Sequence, residues 1–152
     1  MRTAILVVTT FVLTAVGGVE AEPCGLHTVN MTVTSGDDAN NLSDALTCTG
    51  GGTFEVSWIG SIQISQSMVV GNGSVLNVTG GDGAEIDGGG FTQLFNVRTS
   101  RLHLHNLALS RGATNGSGAA VSAHNAAISV YDCALSENVA PVGDGGETTC
   151  KA

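Results

Sequence analysis

The chain has 152 residues, of which 42% are hydrophobic and only 12% charged, with a formal net charge of −8. That is room for one domain, and its acidity argues against nucleic acid or an anionic membrane surface as a partner, because affinity for either rests on a basic stripe that neutralises phosphates. Twenty-two glycines would suit a disordered chain, but the apolar content and the regular alternation described below argue for a folded one.

Residues 1–21 read as a signal peptide. Arg2 supplies the positive start, Ala4 to Val16 is an apolar run interrupted only by threonines, and Val19-Glu20-Ala21 offers a cleavage site before Glu22. The run falls short of the roughly 20 residues a spanning helix needs, so no membrane span is expected after cleavage. Losing this segment removes Arg2 and Glu20 together and leaves the net charge at −8, with Arg98, Arg101, Arg111 and Lys151 as the basic residues. The expected address is secreted, extracellular or cell-surface.

Four cysteines, Cys24, Cys48, Cys133 and Cys150, follow the signal. In an oxidising compartment they permit three pairings. Cys24–Cys48, both near the start of the domain, is the expected disulfide, and Cys133 also suits the role of a small buried hydrophobe. Asn30, Asn41, Asn72, Asn77 and Asn115 each begin an Asn-x-Ser/Thr sequon, which makes them glycosylation acceptors if the organism is eukaryotic.

Residues 22–52 are expected to hold one strand and a helix. Val29, Met31 and Val33 alternate with polar residues. Ser35-Gly36-Asp37-Asp38 then opens a short helix, with side-chain acceptors and negative charge suited to its first-turn amides. Ala39, Leu42, Ala45 and Leu46 form its apolar stripe, and Thr49-Gly50-Gly51-Gly52 ends it. From Thr53 the period changes to two. Phe54, Val56 and Trp58 alternate with Glu55 and Ser57, and Ile62 and Ile64 with Gln63 and Ser65. Val75 to Val78 is a further short run, and Ile86 stands alone before Gly88-Gly89-Gly90. Short runs of this kind, divided by Gly, Asn, Asp and Ser, read as all-β structure.

An internal repeat organises the later part. With a shift of 26, Leu102 meets Ile128, Leu104 meets Val130, Asn106 meets Asp132, Leu107 meets Cys133, Leu109 meets Leu135 and Ser110 meets Ser136. Apolar falls on apolar and polar on polar, including the break in alternation after Asn106. Such a period marks a solenoid whose units cover one another's apolar faces. A leucine-rich repeat would carry a fixed leucine framework, which is not visible. The expected fold is therefore an all-β, right-handed parallel β-helix of about five coils over residues 53–152, with the helix at Ala39–Leu46 covering its open first edge. The sequence beyond Gly143 begins another coil without an evident end cap. The chain is therefore expected either to continue in a longer natural product, truncated here, or to self-associate end to end.

At the repeat the chain resembles right-handed β-helix proteins of the pectin-lyase-like and polymorphic outer membrane protein (adhesin) type. Gly118-Ala119-Ala120-Val121 approximates the Gly-Gly-Ala-Ile element of that type, and Leu135-Ser136-Glu137-Asn138 its Phe-x-x-Asn element. Leu109-Ser110-Arg111-Gly112 holds the same place earlier, with Gly where Asn is expected, and Gly145-Gly146 departs from the pattern at Glu147-Thr148. The resemblance implies a fold and an extracellular address. Function it implies loosely, since fold does not fix function.

Candidate chemistry is sparse. Asp37-Asp38, the one adjacent carboxylate pair, is accounted for by helix capping. Asp82, Glu85 and Asp87 lie in the Gly80–Gly90 stretch and carry oxygen ligands of the kind calcium takes, but without a calcium-loop pattern they read as a solvated turn. Arg101, His103 and His105 share one face of a strand, with Tyr131 beside them by the 26-residue register; two imidazoles lack the third ligand a zinc site needs. These four are the candidate surface contact. Asn106 over Asp132 reads as a corner stack satisfying turn amides, and Trp58 as core. No catalytic residue, metal site or cofactor is expected. The functional expectation is a non-catalytic interaction or adhesion module contacting extracellular polysaccharide or another protein. The alternative is a pectate-lyase-like, polysaccharide-acting protein or a fragment of one.

Overall fold

Alternating stretches of the sequence become strands, and the Gly-, Asn- and Ser-rich stretches between them become corners. The computed structural model describes residues 11–12, 28–47 and 51–140. Cys24, Cys48 and Cys150 lie outside them, so the disulfide expected between Cys24 and Cys48 does as well. In chain order the elements are β1 (Phe11–Val12), β2 (Thr28–Val33), α1 (Gly36–Leu46), β3 (Thr53–Trp58), β4 (Ser61–Gln63), β5 (Met68–Val70), β6 (Val75–Gly80), β7 (Glu85–Asp87), β8 (Phe95–Arg98), β9 (Arg101–His105), β10 (Ala108–Ser110), β11 (Val121–His124), β12 (Ala127–Tyr131) and β13 (Ala134–Ser136). Two residues of the segment read as a signal, Phe11 and Val12, pair with Val29 and Asn30 of β2.

The chain is mostly β, and the strands form three sheets in which every pairing is parallel. Sheet A has the order β1-β2-β3-β6-β9-β12, sheet B β13-β10-β7-β4 and sheet C β11-β8-β5. From β3 onward the chain visits A, B and C in strict rotation, so consecutive strands never pair and each pairs with its counterpart one circuit away. Three complete circuits and the start of a fourth follow the helix within the described residues, fewer than the five expected over 53–152.

The 26-residue shift is the register found at the end of this array: Leu102 faces Ile128 and Leu104 faces Val130 in sheet A, and Leu109 faces Leu135 in sheet B. Earlier circuits differ. Thr53 faces Val75, an offset of 22, whereas Val75 faces Arg101 and Arg101 faces Ala127, both offsets of 26. The two equal offsets arise differently. Residues 81–84 join β6 to β7 but only 106–107 join β9 to β10, while residues 88–94 join β7 to β8 and 111–120 join β10 to β11. A shorter corner and strand offset a longer connector.

Inward residues from successive circuits stack in columns. Phe54, Leu76 and Leu102 form one, Val56, Val78 and Leu104 a second, and Ile62, Ile86 and Leu109 a third, all buried. Trp58 is fully buried as expected, and its indole N–H donates to the Glu85 carbonyl at 3.0 Å. Each such buried side chain contributes on the order of 1.5–3 kcal/mol.

α1 packs on β2 and β5 at the start of the array. Ser35 is its N-cap and accepts from the Asp38 amide at 3.2 Å, and the Asp38 carboxylate returns the bond by accepting from the Thr34 amide at 3.0 Å. This cap accounts for Asp38, one of the two first-turn acids. The buried stripe is Ala39, Leu42, Ser43 and Leu46; Ser43 takes the place expected of Ala45. Positions i, i+3, i+4 and i+7 share a helix face, whereas i+6 lies off it. The Ser43 hydroxyl is accommodated there by donating to the Ser67 carbonyl at 3.4 Å. No helix among the described residues is long and apolar enough to cross a membrane.

The corners use left-handed backbone. Thr99 and Asn125, Asn106 and Asp132, and Arg111 and Glu137 all have φ between 48 and 55°, and each pair is one circuit apart. The stack expected at Asn106 and Asp132 works differently from the sequence reading. Asn106 Nδ2 donates to the Gly80 carbonyl at 2.9 Å, satisfying an acceptor rather than a turn amide, and Asp132 pairs with His105 instead. The two-sided clamp is Asn138, whose Oδ1 accepts from the Gly112 amide at 2.8 Å while its Nδ2 donates to the Leu109 carbonyl at 3.0 Å. This explains Gly112, where the resemblance led one to expect Asn: a Cβ there would lie 2.5 Å from the Ala119 carbonyl oxygen and 2.8 Å from Asn138 Oδ1.

Candidate functional site

Because side chains alternate across a strand, the inward columns of sheet A leave the intervening residues on its outer face, where register sorts them into rows. Asn30, Glu55, Asn77, His103 and Ser129 form the middle row across five strands; Thr32, Ser57, Thr79, His105 and Tyr131 form the next. The third row begins with Thr28 and Thr53 and reaches Arg101 and Ala127 through Val75. Neighbouring strands are about 4.8 Å apart, so the face is a broad polar surface with hydroxyl, carboxamide and imidazole groups at regular spacing.

All four candidate contact residues lie on this face. Arg101, His105 and Tyr131 are exposed and His103 is half-buried. Tyr131 stands directly across from His105 on the adjacent strand and is 63% exposed. His105 Nε2 lies 3.3 Å from Asp132 Oδ2, an ion pair open to water when the imidazole is protonated. Glu55 and Asn77, which sequence reading did not place here, are joined by a 2.7 Å bond from Asn77 Nδ2 to Glu55 Oε1. The offset of 22 between β3 and β6 hides their pairing from a 26-residue repeat.

The sequons divide by position. Asn30 and Asn77 lie in the middle row of the face, Asn41 is exposed on α1, Asn72 is exposed at the corner before β6, and Asn115 is exposed in the connector between β10 and β11.

A second polar cluster lies on the outer face of sheet B. Glu85 and Asp87, expected in a solvated Gly-rich turn, are instead the ends of β7; only Asp82 is in a turn. A three-residue strand with one inward residue, Ile86, carries too little alternation to be recognised. Glu85 accepts from the Ser110 hydroxyl at 2.6 Å and from the Ser61 hydroxyl. These bonds to its charged form, led by that of Ser110, hold the Glu85 carboxyl below its ordinary value. Asp87 is buried; it accepts from the Gly89 amide at 2.8 Å and pairs with the Arg111 guanidinium. The Asp87 hydrogen bond, reinforced by its charge, raises the Arg111 pKa. The Glu85 carboxylate and the Arg111 guanidinium are thereby favoured in their charged forms, each tied to a neighbouring circuit. Such a set holds strands together, and neither Glu85 nor Arg111 is poised to exchange a proton near neutrality. Among the described residues no group of three or more His, Cys, Asp or Glu is arranged to hold a metal ion.

Cys133 is half-buried against the core in the corner between β12 and β13, where its thiol donates to the Tyr131 carbonyl at 3.1 Å. No family model, curated protein or solved structure matches the chain.

Proposed function

We propose that this chain is a right-handed parallel β-helix, started by a capping helix, that works as a secreted or cell-surface interaction module without catalytic activity. Its contact surface is the outer face of sheet A and its partner an extracellular polysaccharide or another protein. The rotation through three parallel sheets supports the fold reading, as does the strong preference of parallel crossover connections for the right hand. The address rests on the signal-like sequence of residues 1–21 and the Asn-x-Ser/Thr sequons.

One observation carries the functional reading: two full rows of polar side chains, all exposed or half-buried, cross five strands in register. A surface evolved only to be wet needs no register, but one that contacts a repeating polymer or an extended partner gains from it. Fold alone would not license the step.

The test is binding of the secreted protein to immobilised extracellular polysaccharides and matrix proteins, with His103→Ala, His105→Ala and Tyr131→Ala as probes. Retained binding in all three would remove the assigned face.

The carbohydrate-active reading has one observation in its favour, the convergence of Glu85, Asp87 and Arg111 on sheet B. Incubation with acidic polysaccharide and calcium, following absorbance from unsaturated products, separates the two. The interaction reading expects no rise; turnover lost on Arg101→Ala or Arg111→Ala would replace it.

A further inference from the structure

Sheet C ends at β11, which among the described residues pairs only with β8. One of its inward columns runs Met68, Phe95, Val121 and the other Val70, Val97, Ala123. The first two members of each are buried, but Val121 is half-buried and Ala123 is exposed although it lies on the inward side. The backbone is open there as well. The Ala120 and His124 carbonyls accept from the Phe95 and Thr99 amides at 2.9 and 3.0 Å, so the even-numbered residues of β11 turn their polar groups toward β8. Alternation then aims the N–H and C=O groups of Val121 and Ala123 at the open edge.

The following chain is positioned to fill that edge. Beyond β13 it keeps the offset of 26: Ala113 faces Val139 in a parallel bridge. The Val139 amide donates to the Gly112 carbonyl at 2.9 Å, and the Thr114 amide to the Val139 carbonyl at 3.2 Å. The described residues end at Ala140, and residues 141–152 follow. At the same offset Pro141 falls beside Asn115 in the exposed connector, and Glu147, Thr148, Thr149 and Cys150 fall beside Val121, Ser122, Ala123 and His124. The outward polar row of Asn96 and Ser122 would run on into Thr148, and two adjacent threonines suit a strand.

We propose that residues 147–150 add to β11 as one more parallel strand of sheet C and end the stack by carrying Glu147 and Thr149 over its apolar columns. In that strand the Gly146 and Thr148 carbonyls accept from the Val121 and Ala123 amides, as Ala120 accepts from Phe95. An inward carboxylate does not suit the middle of a solenoid, but it suits the last layer, where it stays in water. A further layer would bury it without a partner, at high cost. A polar terminal unit and an inward charge are devices that stop repeat arrays from growing and strand edges from pairing. The departure of Glu147-Thr148 from the Gly-Gly-Ala-Ile element thereby acquires a use. A second copy is the poorer occupant, because α1 at the opposite end exposes Asp37, Asn41 and Asp44, which offer the open columns no apolar match.

The test is amide exchange on the full chain, followed by NMR at two protein concentrations. The Val121 and Ala123 amides should exchange about tenfold or more slowly than that of Ser117 in the exposed connector, and equally so at both concentrations. Thr148→Pro removes the N–H that meets the Val121 carbonyl. It should erase that difference while leaving the Leu104 amide as protected as before. Glu147→Val should keep the protection and add a mass that rises with concentration in light scattering. Exchange at Val121 and Ala123 as fast as at Ser117, or protection indifferent to Thr148→Pro, would overturn the added strand. Protection that grows with concentration would assign the edge to a second copy and overturn it equally. A constant mass for Glu147→Val would remove the stopping role of the carboxylate.

Discussion

The circuit beginning at β9 and the partial circuit beginning at β12 follow nearly the same pattern, yet they are buried very differently. Leu102, Leu104 and Leu109 are fully enclosed, at 0% exposure, whereas their partners Ile128, Val130 and Leu135 are only half-buried. Alternation decides which way a side chain points. Having a neighbour on both sides decides how completely it leaves water, and β12 and β13 have one only on the side of β9 and β10 among the described residues.

The largest expected break in this comparison is Leu104→Ala. Deleting a fully enclosed side chain should cost about 2–5 kcal/mol, read as a lower denaturant midpoint. Val130→Ala, the matching change one circuit on, should cost less, about 1 kcal/mol, since that smaller side chain is only partly withdrawn from water. Equal losses at both positions would mean that the terminal circuit is covered in solution. Light scattering at high concentration then separates end-to-end self-association, which raises the mass, from burial within one chain.

Next in size is Asn138→Ala, which removes one bond to an amide and one to a carbonyl in the layer beneath. It should cost about 1–3 kcal/mol and selectively speed amide exchange in β13 and at Gly112. Asn106→Ala loses the single bond to Gly80 and should cost less.

Acid should act at the helix start and inside sheet B, but modestly. Asp38, held low chiefly by the Thr34 amide, and Glu85, held low chiefly by the Ser110 hydroxyl, have folded values below their unfolded ones. Their contribution is present above the unfolded carboxylate range and lost as pH falls through the folded values. Stability should therefore drop below about pH 4, and Asp38→Asn with Glu85→Gln should flatten that part of the profile. His105→Ala is the smallest change, within about 1 kcal/mol, because its pair with Asp132 is open to solvent.

The β character, the parallel register near the end and the cap at Ser35 were legible because each rests on side-chain type at fixed spacing. The strands of sheet C at Met68–Val70 and Phe95–Arg98 were not, since three or four residues carry too few alternations to stand out. The left-handed corners were equally hidden: Thr99 and Asn125, or Arg111 and Glu137, share a backbone conformation and no chemistry. At the candidate site, Arg101, His103, His105 and Tyr131 could be grouped because the 26-residue register holds there. Glu85 with Arg111 needed the fold.

The connectors of unequal length have a consequence for how this architecture tolerates change. Sheet stacking fixes where each strand must lie, yet the path between sheets B and C takes seven residues in one layer and ten in the next. Insertions in the exposed 115–117 stretch should thus be absorbed locally, leaving the columns aligned above and below. That makes this edge the natural position for grafting a foreign peptide.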